Sequence, residues 1–72
     1  MVDTRKLKAR MIENGETVMS LAKKIGISTA TFSNKLNNKV FFSIVEARAI
    51  SNILKFDNNT AVDIFFANNV DK

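Results

Sequence analysis

The sequence predicts an all-α domain, a compact bundle of five short helices, and three observations carry that expectation. No proline occurs, and the two glycines stand at positions 15 and 26, where they divide the first half of the chain into helix-sized pieces. Apolar residues recur three and four apart, the period of a helix with one buried face. Short polar residues stand just before several of these stripes, where a helix start needs a side chain to take up its free amides.

In the first element, Leu7 and Met11 share one face with Ile12 beside them, and Arg5, Lys6, Lys8 and Arg10 surround the rest. Asp3 or Thr4 is the expected cap, and Gly15 suits the left-handed residue that ends the helix. From Thr17, an N-cap candidate, Val18, Leu21, Ala22 and Ile25 follow amphipathic spacing as far as Gly26. Ile27 plugs the turn, and Ser28 caps a third helix whose inner side is Phe32 and Leu36. Asn37 to Lys39 reads as a loop and Val40 to Phe42 as an apolar connection, since this run is too short and too isolated for a strand.

Ser43 and Glu46 form the S-x-x-E capping box of a fourth helix with the stripe Ala47, Ile50 and Leu54 and with Ile53 alongside. Asp57 to Asn59 interrupts the pattern. Thr60 with Asp63 then offers a cap for a short fifth helix carrying Val62, Phe65 and Phe66. Seventy-two residues suit a single domain, 1–72, near the lower size limit for an independent core.

Composition narrows the chemistry. With no Cys and no His, disulfides and thiolate or imidazole metal sites are excluded, and no metal or cofactor is expected. No glycine-rich phosphate loop or paired carboxylates occur, and nothing joins a Ser and a Lys into a nucleophile and base, so no enzyme is expected. Apolar runs are too short to span a membrane, and an intracellular, soluble protein is the default. The net charge of +4 is uneven: residues 1–39 hold eight Lys/Arg against three acids, residues 40–72 three against four. A basic half joined to a near-neutral, aromatic half suggests one face for a polyanion and another for packing or self-association.

The densest constellation is TVMSLAKKIGISTATFSNKLN, residues 17–37. Ala22 lets two helices cross closely, Gly26 permits positive φ, Ile27 buries between the helices, and Ser28 opens the next one. Here the chain resembles the lambda-repressor/Cro-like family of helix-turn-helix regulators, most closely in LAKKIGIS. The ending DIFFANNV looks like the final helix of small phage-type members. The resemblance implies a lambda-repressor-like DNA-binding domain in the cytoplasm of a bacterial host, its second helix across the DNA backbone and its third in the major groove.

On that resemblance the DNA-facing residues are Thr17, Ser28, Thr29, Ala30, Thr31, Ser33, Asn34, Lys35, Asn37, Asn38 and Lys39. Asn34 is the candidate for a bidentate contact to adenine, and the methyl of Ala30 for a thymine methyl. Lys35, Asn38 and Lys39, with Lys23 and Lys24 on the second helix, would sit beside phosphates. Many family members carry a Gln near the start of the second helix. Here Val18 or Met19 stands there, and neither can donate a hydrogen bond.

Two partners follow. One is double-stranded operator DNA, read by a Cro-like regulator of a phage-type switch, with Phe56, Phe65 and Phe66 on the C-terminal helices as candidates for a homodimer surface; of these Phe65 is the one expected in the core. The alternative is a phage repressor protein. In size and style the chain also resembles the modulator-of-repression proteins of lactococcal phages, which act as antirepressors by protein–protein contact. Val18, Met19, Ala30 and Asn34 would then be the contact residues.

Overall fold

A computed structural model describes residues 1–67. Five helices follow in order: α1 Thr4–Glu13, α2 Val18–Ile25, α3 Thr29–Leu36, α4 Ile44–Ile53 and α5 Asn58–Phe65. Among the described residues there is no strand, and no helix is long and apolar enough to cross a membrane. The last three residues of DIFFANNV lie outside the described residues.

Each start is made by a side-chain cap. Asp3 accepts from the Lys6 amide, Thr17 from Ser20, Ser28 from Thr31, Ser43 from Glu46 and Asp57 from Thr60. The expected box at Ser43 and Glu46 is present, and Thr17 forms a second one in which Ser20 reaches back to the Thr17 amide. Gly15 and Gly26 both take positive φ, 69° and 83°, the region in which a Cβ would be strained.

The fifth helix corrects the sequence reading in its cap. Its cap is Asp57, not Thr60, because an ionised carboxylate three residues upstream takes the Thr60 amide at 2.7 Å. Starting at Asn58, the helix turns Ile64 and Phe65 into the core and leaves Val62 and Phe66 outward.

Leu7, Leu21, Phe32, Ile50, Leu54 and Ile64 are the largest fully buried side chains, so every helix, or its cap at Leu54, contributes one. Aromatic rings join the two halves: Phe42 packs edge-on against Phe32 at 5.5 Å and against Phe65 at 5.6 Å, and Phe65 meets Phe56 at 6.3 Å. Of the apolar connection Val40–Phe42, only Phe42 packs inward.

The chain's start is part of the fold. Val2 is buried, the Asp3 amide donates to the Ile64 carbonyl at 2.7 Å, and the Thr4 hydroxyl donates to the Leu36 carbonyl at 2.6 Å. One of the unpaired carbonyls at the C-terminal end of α3 is thus satisfied by the first turn of α1.

Candidate nucleic-acid interface

The face predicted to meet DNA is built on α2, α3 and the turn between them. Gly26 ends α2 with φ 83° and ψ 27°, and its amide, with that of Ile27, returns to the Ala22 carbonyl at 3.0 Å. Ile27 packs partly into the core, and Ser28 starts α3 in extended backbone. Phe32 and Leu36 anchor the inner side of α3. Thr29, Ala30, Asn34 and Asn37 are exposed on the other, and Ser33 is half-buried.

Among the described residues, the amides of Asn34 and Asn37 and the hydroxyl of Thr29 make no side-chain hydrogen bond. Thr31 differs, because its hydroxyl accepts from Ser28 at 2.8 Å while its amide donates to the same Ser28 oxygen at 3.0 Å. Thr17 and Ser28 are likewise occupied as caps.

The cations sort into two groups. Lys23 and Lys39 are exposed and pair with no carboxylate among the described residues. Lys24 closes on Glu16, whose other oxygen accepts from the Ser20 hydroxyl at 2.6 Å. These bonds from Lys24 and Ser20 hold the Glu16 carboxyl below its ordinary pKa.

Lys35 is withdrawn from the face. Its Nζ lies 2.6 and 2.7 Å from the two oxygens of Glu46 on α4, and the side chains are only 13% and 16% exposed. Burial works against ionising Glu46, but the Lys35 ammonium and the Ser43 amide, which donates at 2.9 Å, outweigh it and lower the pKa. The pair clasps α3 to α4.

Asn38 is also engaged within the fold. It sits at φ 65°, a conformation that Asn tolerates better than most side-chain-bearing residues. Its Oδ1 accepts from the Val2 amide at 2.8 Å, and its Nδ2 donates to the Val2 carbonyl at 3.0 Å. This two-bond exchange ties the chain's start to the end of α3.

A family model described as "Protein of unknown function (DUF739)" matches residues 1–68. The chain belongs to the DUF739 family. No curated protein matches it. The DUF739 match covers the whole of the candidate face.

Of the four residues expected at a protein-binding version of this face, Met19 is 69% exposed, and Ala30 and Asn34 are exposed with it. Val18 instead packs partly against the core, since the first turn of α2 rotates it inward.

What sequence reading missed are the acids. Glu16 lies eight residues before Lys24 and Glu46 eleven after Lys35, so neither pair has the i, i+4 spacing that marks a helical ion pair. Only the path of the chain brings them together.

Proposed function

We propose that this DUF739 chain is a helix-turn-helix transcriptional regulator that binds operator DNA of a phage-type switch through α3. The observation that carries the reading is the outward side of α3, where Thr29, Asn34 and Asn37 present polar groups without intramolecular partners beside the exposed Ala30. An asparagine amide on such a face can pair in bidentate fashion with adenine, and short neighbours let the helix backbone approach the groove floor. Lys23 and Lys39 supply charge for phosphates.

With Lys24 and Lys35 engaged by acids, fewer cations are available than the composition suggests, so sequence-independent affinity is modest on this reading. The test is a titration of operator and scrambled duplexes over a range of salt. Asn34→Ala is expected to weaken operator binding selectively, whereas Lys39→Ala weakens both and flattens the salt slope by about one. Equal affinity of the wild-type protein for both duplexes would refute operator reading.

A second reading keeps the fold and exchanges DNA for a phage repressor protein. It is favoured by Met19, an exposed apolar side chain at the start of α2 where a backbone-contacting donor would serve DNA better. Here the wild-type chain co-purifies with the repressor and Met19→Asp abolishes that while leaving the fold intact, whereas a DNA regulator does not co-purify with the repressor.

A further inference from the structure

The first turn of α1 abuts the carboxyl end of α3. The Thr4 hydroxyl donates to the Leu36 carbonyl, and Asn38 exchanges two hydrogen bonds with the Val2 backbone. These bonds decide which flank of α1 adjoins α3. Lys8 follows Thr4 by four residues and so lies on that flank, with Arg5 beside it three residues earlier. We propose that Arg5 and Lys8 form an anion-binding strip that holds duplex DNA by the phosphates flanking the segment under α3. The inference rests on the reading of α3 as a DNA-facing helix and brings α1 into that interface.

The cations of α1 divide into two sets. Lys6 and Arg10 line a depression against α5 together with Asp63, and Arg10 also lies 5.8 Å from the centre of the Phe56 ring. Glu13, seven residues after Lys6, shares that side of the helix. Arg5 and Lys8 are exposed and form no ion pair among the described residues. Asp3, the acid nearest in sequence, is turned along the helix and accepts from the Lys6 amide. Positive charge left uncompensated on one flank is what a polyanion seeks, whereas solubility alone gains nothing from keeping the acids on the other.

The place of this strip matters as much as its charge. The carboxyl end of a helix carries partial negative charge, the wrong sign to meet a phosphate. Here Thr4 takes up the Leu36 carbonyl and Arg5 is the next residue, so α1 covers that end with a donor and a cation. Lys39 is exposed just beyond the same end. In a major groove about 12 Å wide, the backbone passes close to the end of a helix lying in it.

The strip is also held in register. Bonds from Thr4 and Asn38 fix the start of α1 relative to α3, so gripping the backbone there would orient α3 as well as add affinity.

The experiment is a salt titration of the full chain on a labelled mixed-sequence duplex of two helical turns, about 20 base pairs. Phosphate contacts need no operator, and circular dichroism checks that each variant is folded. Arg5→Gln and Lys8→Gln are each expected to lower the salt slope by about one and to weaken binding roughly five- to tenfold near 0.1 M salt. Lys6→Gln removes the same charge from the other flank and should stay within about twofold of the wild type, because salt screens charges that are not in contact. If Arg5→Gln and Lys8→Gln behave as Lys6→Gln does, the strip is overturned, and a preference for operator that Asn34→Ala removes still supports the α3 reading. A wild-type chain that binds no duplex overturns both. Unchanged DNA affinity in Arg5→Gln with loss of repressor co-purification also overturns the proposal and assigns the strip to a protein.

Discussion

Lys35 and Glu46 join α3 to α4 through a two-pronged ion pair, 2.6 and 2.7 Å long, that is largely shielded from water. Glu46 also closes the capping box with Ser43, so one carboxylate fixes the start of α4 and the end of α3 together. A lysine expected to sit beside phosphate is thus also part of what holds α3 against α4.

Glu46→Gln separates the two roles of that carboxylate. Glutamine at the same position can still reach the Ser43 amide, but it leaves the Lys35 ammonium covered and unpaired. The variant is expected to lose about 1–3 kcal/mol in urea unfolding. Glu46→Gln with Lys35→Met removes both charges and should recover much of that loss. Additive losses across the cycle would mean the pair contributes no coupling.

Acid should weaken the fold through the same group. The pKa values of Glu46, Glu16 and Asp57 are all lowered from ordinary values of 4.5, 4.5 and 3.8, so the unfolded chain takes up protons more readily than the folded one. Their contribution is fully present above those ordinary values and is lost as pH falls through the lower folded values. The urea midpoint should hold steady from neutrality to about pH 5 and decline below it. In Glu46→Gln the decline should be shallower, and an unchanged slope would remove Glu46 from the account.

At Asn38 the conformation and the side chain can be tested apart. Asn38→Ala loses both bonds to Val2 and places a Cβ without a local polar partner at φ 65°, so it should cost about 1–3 kcal/mol. Asn38→Gly loses the bonds but relieves the backbone and should cost less. If Asn38 clamps the chain's start and does not touch phosphate, the folded variants bind operator and scrambled duplexes as the wild type does. An equal loss of affinity on both duplexes, with the salt slope unchanged because asparagine is uncharged, would return Asn38 to the interface.

Much of the fold was legible because its signals are local. Caps at Thr17, Ser28 and Ser43, the positive-φ glycines, and the stripes through Leu21, Phe32 and Ile50 each depend on residues within about two turns. The outward positions of α3 follow from the same periodicity once Phe32 and Leu36 are placed inside. What was not legible depends on distant chain segments meeting: Val2 against Asn38, Lys35 against Glu46, and Phe42 between Phe32 and Phe65. The cap of the fifth helix was not legible for a smaller reason. Thr60 and Asp57 are both competent caps, and sequence alone does not show which one the preceding turn presents.

That ambiguity yields the last prediction. If Asp57 is the cap, Asp57→Ala leaves the Thr60 amide unpaired at the start of α5 and should cost about 1 kcal/mol. Thr60→Val keeps the shape and the backbone amide and should cost well under half of that. The order matters beyond stability, because the cap sets where α5 begins ahead of the packed residues Ile64 and Phe65. A helix restarted at Thr60 would shorten α5 by its first turn and loosen Phe56 against Phe65. Urea unfolding ranks the two variants, and amide exchange at residues 58–61 locates the loss. A larger penalty for Thr60→Val than for Asp57→Ala would reassign the cap and, with it, the start of α5.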